Sequence, residues 1–254
     1  MAVLERGEGP AVVCLHAFGC DRRLWQPQIE GLSGHRRVIA LDLRGFGGEP
    51  DTDGAAVSMD AYADDVIDQL DRLGVRTASF VGLSVGGYVA LSIALRAADR
   101  VDALVLANTR ASPDSEEARA GRLATANALR ASGPRAIVDA YGDRLFGQLA
   151  DADVRDRVRQ MMLSQPASAL VSATLGMADR PDRRPALSRI RVPVLVVSGS
   201  ADVLIAPAMS RELLDGPPDA HWAEIAGAGH LSSIEAPQPF NALLDQFLPR
   251  AASR

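Results

Sequence analysis

The sequence predicts an α/β fold: a mainly parallel central sheet with helices on both faces and a helical segment inserted in the second half of the chain. Three observations predict it. Apolar runs without polar alternation recur at 11–15, 38–41, 78–81, 101–107 and 192–197, and strands buried on both faces read this way. Stretches with apolar residues at helical spacing separate them, the pattern of repeated strand–helix–strand units. Between residues 112 and 185 the alternation stops, and only helix-like stretches appear. A chain of 254 residues, 47% hydrophobic, is long enough for one well-buried core with a small appended unit.

The elements follow in order. Residues 2–5 read as a short edge strand before a Gly-Glu-Gly-Pro turn, and 11–15 as a buried strand. Residues 21–32 read as a helix with Leu24, Trp25, Gln28, Ile29 and Leu32 on one face. The strand at 38–41 runs into Asp42-Leu43-Arg44-Gly45-Phe46-Gly47-Gly48. That loop lacks the lysine of a phosphate loop and the dinucleotide spacing, and is read as structural. Residues 59–73 form a strong helical pattern with Ser58 as N-cap and Gly74 as a left-handed stop. A strand at 78–81, a helix at 88–95 and a strand at 101–107 come next. Candidate helices at 115–130, 135–146, 153–163 and 167–177 fill the inserted segment, which ends in a linker-like stretch at 180–185. Strands at 192–197 and 221–225 and a helix at 239–247 close the chain. The expected organisation is a core of residues 1–111 and 186–254 with a helical cap of 112–185.

Composition narrows the function. The net charge is −5 and there is no basic tract, which argues against a nucleic-acid binder and against anionic lipid surfaces. All 27 basic residues are arginine. Without lysine there is no Schiff-base residue for pyridoxal phosphate chemistry, and no cofactor is expected. Cys14 and Cys20 have neither metal nor disulfide spacing; Cys14 reads as a core residue and Cys20 as partly exposed. No metal-type cluster, secretory pattern or run of membrane-spanning length is present, so a reducing cytoplasm is the expected home.

The chemistry is carried by Gly82-Leu83-Ser84-Val85-Gly86. A serine between two glycines, after an apolar strand and before a helix, fits a nucleophile elbow. The turn must push the serine clear of the sheet in a strained conformation, and a side chain at either glycine would collide with its neighbours. Asp202 follows the 192–197 strand and His230 follows the 221–225 strand. Parallel sheets place their chemistry at the carboxyl ends of strands. Serine needs a base to take its proton, histidine titrates in the right range, and a carboxylate holds the imidazole. Singly, Ser84 has an ordinary reading as a turn residue, Asp202 as a loop cap and His230 as a satisfied loop histidine. His16, His35 and His221 compete with His230; Asp179, Asp182 and Asp215 compete with Asp202, but none of those three directly follows a strong strand.

In the order Ser, Asp, His, the chain resembles the α/β-hydrolase superfamily over roughly residues 2–249. The resemblance implies an oxyanion hole made by the backbone N–H groups of Phe18 and Val85, with His16 organising the loop. Ala17 stands where relatives often carry glycine. His16-Ala17-Phe18-Gly19, Trp25-Gln26-Pro27-Gln28 and Gly82 to Gly87 carry a narrower likeness to 3-oxoadipate enol-lactonases and small carboxylesterases. It implies hydrolysis of a small carboxylic ester or lactone through an acyl-enzyme on Ser84. Trp25, Arg110 and Met161 are the candidate substrate contacts, Arg110 for an anionic group or equally for an ion pair. The apolar residues of the inserted segment read mainly as its own core. Carbon–carbon bond hydrolysis, cofactor-free perhydrolysis of the haloperoxidase type, and a ligand receptor on the same fold share these residues and stay open.

Overall fold

A computed structural model describes residues 1–50 and 52–249. Seven strands form one sheet in the order β1-β3-β2-β4-β5-β6-β7. They are β1 (Val3–Arg6), β2 (Ala11–Leu15), β3 (Arg37–Leu41), β4 (Ala78–Leu83), β5 (Val101–Ala107), β6 (Val194–Gly199) and β7 (Ala220–Ile225). Only β1 runs antiparallel, against β3 at one edge; the other neighbours are parallel. Every residue of β4 and β6 is buried, as their continuous apolar character requires.

Strand order fixes where a ligand can enter. β2 pairs with β3 on one side and β4 on the other. The chain therefore leaves β2 in one direction and returns past it in the other. Right-handed crossovers then put the helix after β2, α1 (Gln26–Leu32), and the helix after β3, α2 (Met59–Arg72), on opposite faces. The packing agrees: α2 lies on α3 (Val85–Arg96) over β4 and β5, while α1 packs on α10 (Pro237–Phe247). The loops after β2 and β4 diverge at this switch point and open a crevice at the carboxyl end of the sheet.

Between β5 and β6 the chain forms α4 (Glu116–Ser132), α5 (Arg135–Tyr141), α6 (Ala152–Leu163) and α7 (Ala167–Ala178), with no strand. The α4–α7 pair is the main contact within this group. Two shorter helices, α8 (Pro207–Ser210) and α9 (Ser232–Glu235), flank β7. No helix among the described residues is long and apolar enough to cross a membrane.

Local expectations hold at α2, where Ser58 accepts from the Ala61 amide and Gly74 takes φ +67°. Others need correction. Residues 21–32 are not one helix: a 3₁₀ turn over Arg22–Trp25, capped by Asp21, precedes α1, with Pro27 in its first turn. Likewise α5 stops at Tyr141, and a 3₁₀ turn over Gly142–Leu145 follows. Cys20 is buried, not partly exposed. The linker-like stretch begins with Arg180, which is buried and ion-paired to Asp114 at 2.9 Å.

Candidate active site

β4 ends at Leu83 and α3 begins at Val85, so Ser84 alone makes the turn between them, at φ +56° and ψ −113°. This is a costly conformation for a residue with a Cβ. Both flanking glycines are required. A Cβ on Gly82 would lie 2.3 Å from the Gly86 carbonyl oxygen, and one on Gly86 would lie 2.1 Å from that of Leu15. The turn is fixed by the Ser84 amide donating to Ala107 O and the Thr109 hydroxyl donating to Ser84 O.

Ser84, Asp202 and His230, far apart in the chain, meet here. Ser84 Oγ is 2.8 Å from His230 Nε2, and His230 Nδ1 is 2.9 Å from Asp202 Oδ2. The Asp202 carboxylate also accepts from the Leu204 and Ile205 amides and from Asn108 Nδ2. Burial pushes this carboxyl up, but the adjacent His230, the Ile205 amide and Asn108 outweigh it and hold it below the usual range. An ionised Asp202 fixes Nδ1 as the protonated nitrogen and leaves Nε2 free to accept the serine proton.

Phe18, on the loop after β2, lines the cavity, and Val85 directly follows Ser84. Val85 is the first residue of α3, where helical amides have no carbonyl behind them. Neither amide donates to another backbone group among the described residues. The loop bearing Phe18 is held by His16, whose Nδ1 donates to Ala17 O and whose Nε2 accepts from the Leu43 amide. Burial pushes its pKa down, so it stays neutral.

Ser84, His230, Phe18 and Arg110 line a cavity of about 360 Å³ together with residues of α4 and Tyr141, Arg144 and Met162 from the inserted segment. Trp25 and Met161 are not part of it. Trp25 is fully buried against Phe240, because the 3₁₀ turn aims it under α10. Met161 is turned toward the Asp21 amide, which donates to its sulfur; its neighbour Met162 reaches the cavity. His35 and His221 pair with exposed aspartates elsewhere, and Asp179 and Asp182 pair with Arg119 and Arg184.

Three functional features escape sequence reasoning. Asn108, the residue after β5 at φ +48°, joins Asp202 to the Gly229 carbonyl and accepts from Ser232. Its place at a strand's carboxyl end was a usable signal. Asp114 is a buried carboxylate shared by Arg110, Arg122 and Arg180. Burial pushes its carboxyl up, but Arg122 and Arg180 outweigh that and hold it low. Arg180 also stacks over Tyr88, one helical turn past Ser84. The cavity wall thus carries Arg110, Arg122 and Arg144 against the single carboxylate Asp114, which Arg180 also holds, in a chain of net charge −5. Glu235, buried beside the His230 loop, is the third.

Comparison with known proteins agrees with this architecture. A model described as "Alpha/beta hydrolase family" matches residues 12–243, and the chain belongs to that family. It is 30% identical to 3-oxoadipate enol-lactonase 1 of Acinetobacter baylyi, over 94% of this chain and 88% of the relative. A solved thermophilic esterase from Thermogutta terrifontis, malate bound, is 35% identical with a TM-score of 0.93, covering 97% of this chain and 92% of that one. The enol-lactonase from Burkholderia xenovorans LB400 is 31% identical with a TM-score of 0.87, covering 97% and 95%.

Proposed function

We propose that this alpha/beta hydrolase cleaves a small carboxylic ester or lactone that itself carries a carboxylate, through an acyl-enzyme on Ser84. The observation that carries the reading is the unbroken hydrogen-bond chain Ser84–His230–Asp202 at the wall of a cavity of about 360 Å³. Ser84 Oγ attacks the carbonyl carbon while His230 Nε2 takes its proton. The oxyanion forms against the Phe18 and Val85 amides, each such donor contributing about 10²- to 10³-fold in rate. His230 returns the proton to the departing oxygen, which leaves as an alcohol or stays tethered if the substrate is a lactone. Water then enters, His230 deprotonates it, and the acid is released with Ser84 restored.

The carboxylate on the substrate is inferred from the cavity wall. Arg110, Arg122 and Arg144 line the cavity with Asp114 as the one carboxylate among them, Arg180 draws on the same carboxylate, and the buried Nε of Arg110 has no protein partner among the described residues. Surplus buried positive charge favours an anionic ligand. The A. baylyi relative is named for an oxoadipate lactone and the T. terrifontis esterase is solved with malate, both acidic small molecules. In this reading helices α4 to α7 act as the cap that shapes the pocket, and the reaction needs no cofactor.

The test pairs 4-nitrophenyl butyrate with the 4-nitrophenyl half-ester of succinate, assayed on wild type, Ser84→Ala and Arg122→Gln. Wild type is expected to turn over both and to favour the half-ester by about tenfold or more in kcat/KM. Ser84→Ala is expected to lose about 10⁴-fold or more, and Arg122→Gln to lose the half-ester preference. Ser84-independent turnover overturns the mechanism. Ser84-dependent turnover without preference overturns the carboxylate alone.

A further inference from the structure

The loop that carries His230 is bonded to the inserted helices as much as to the sheet. Its three central amides are all taken. The Gly229 amide donates to Glu235 Oε2 at 3.0 Å, the His230 amide to Leu145 O at 2.9 Å, and the Leu231 amide to Glu235 Oε1 at 3.0 Å. Glu235 Oε2 accepts a second bond, 2.7 Å from the Gly147 amide. Gln148 N donates to Gly227 O from the same strip, at 2.9 Å. Residues 145–148 lie between α5 and α6. Contact is backbone to backbone: a Cβ on Gly147 would lie 2.2 Å from Gly227 O, and one on Gly229 would lie 2.3 Å from Gly147 N.

A buried carboxylate is an expensive way to cap three amides unless its charge is used. Glu235 is 6% exposed and has no arginine partner among the described residues. Burial pushes its carboxyl up and outweighs the three amides and His230, which pull the other way, so it sits above the usual carboxylate range. The charged groups around it are few. His230 is the titratable neighbour, Asp202 is bonded to that ring at Nδ1, and Arg155, from α6, donates to the Gly147 and Ala150 carbonyls and pairs with Asp143, with no bond to Glu235 among the described residues.

We propose that Glu235 is a positioning residue that clamps the His230 loop to residues 145–148, so that one carboxylate aligns the base, ties it to the inserted helices and favours the imidazolium formed during turnover. The proposal rests on the serine-hydrolase reading for its kinetic consequence, and on geometry alone for the rest. Asp202 orients the ring through Nδ1; Glu235 sets the backbone from which the ring projects. A displacement of the base by about 1 Å is enough to cost about 10²-fold.

Glu235→Gln removes the charge and turns an amide N–H₂ toward backbone donors. Glu235→Asp keeps the charge but falls a methylene short of the three amides. In Glu235→Gln, kcat for ester hydrolysis is expected to fall about 10- to 100-fold with KM within about threefold. The acidic limb of its kcat/KM profile is expected to move to lower pH by up to about one unit, because the imidazolium has lost a nearby negative charge. Glu235→Asp should lose a similar factor in kcat with the limb in place, and it carries the test if Glu235→Gln does not fold. The titration of the His230 ring protons, followed by NMR, reads the same shift without substrate, so it stands even if no ester is turned over. A folded Glu235→Gln or Glu235→Asp protein with wild-type kcat, or a His230 titration unmoved by Glu235→Gln, overturns the proposal.

Discussion

The turn at Ser84 and the helices from Glu116 to Ala178 are held in place by different means. At the turn, backbone meets backbone, with carbonyls close to where Cβ atoms of Gly82 and Gly86 would stand. The inserted helices are held largely by side chains. Gln165 bridges the Asp21 carboxylate and the Gly47 amide. Asp114 gathers Arg110, Arg122 and Arg180, and Glu235 takes the Gly147 amide. Gly176 and Gly147 are exceptions, with Cβ positions 1.8 Å from the Val57 carbonyl and 2.2 Å from that of Gly227. The lesson is that a steric demand writes one residue type at one position, whereas a polar tie is satisfied by several residue types from almost any point in the chain. The chemistry of the site is built mostly by the first means and its substrate pocket mostly by the second.

The largest expected effect falls on the tightly built side. Asp202→Asn keeps the shape of the loop but offers His230 an amide in place of a carboxylate, favouring the wrong tautomer. It is expected to lower kcat about 10⁴-fold, measured on the best activated ester, with the melting temperature changed far less than the rate. A loss under tenfold breaks the assignment of Asp202 as the orienting acid. Of the three carboxylates named as competitors, Asp179 and Asp182 are committed to Arg119 and Arg184.

That contrast explains what was legible in the sequence. Ser84 and Asp202 each follow an apolar strand and His230 follows the half-exposed edge strand β7, and strand ends of a parallel sheet converge, so their meeting followed from spacing. The succession of strands along the chain and the lack of a strand between β5 and β6 were readable for the same reason. Trp25 and Met161 were misplaced because facing depends on helix phase. A 3₁₀ turn over Arg22–Trp25 rotates Trp25 beneath α10, and one step along α6 separates Met161 from the cavity-lining Met162. Asp114 and Glu235 gave no local signal at all. Their partners lie up to 66 and 88 residues away, and only the fold brings them together.

A smaller effect tests the steric half of the comparison. Gly86→Ala adds one methyl group against the Leu15 and His16 carbonyls, atoms of β2 and its loop that have no room to yield. The expected cost is about 4 kcal/mol of stability, read by denaturant unfolding. The same substitution at Gly121, which has nothing within 4 Å of its Cβ position, should be stabilising by about half a kcal/mol or more because the residue lies inside α4. Equal effects at the two sites would remove close packing as the reason for the glycine at the elbow.

The smallest expected effect sharpens the polar half and is a matter of pH. Asp114 is held below the usual carboxylate range by Arg122 and Arg180 against the opposing push of burial. A carboxyl whose folded pKa is depressed contributes stability that is fully present above its unfolded value, near 4, and is lost as pH falls through the lower folded value. Asp114→Asn removes the contribution and leaves three guanidinium groups without their shared counter-ion. The variant is expected to be less stable than wild type by about 2 kcal/mol at pH 7, with the gap closing as pH is lowered through the acid range. Thermal melts of both proteins from pH 7 downward measure it. If a small dicarboxylate such as succinate fills the cavity, it should raise the melting temperature of Asp114→Asn more than that of wild type, since it meets more uncompensated positive charge there. A gap that does not change with pH would mean that Asp114 acts through shape and hydrogen bonding, and the wall of the pocket would then be a structural tie with no stored electrostatic preference.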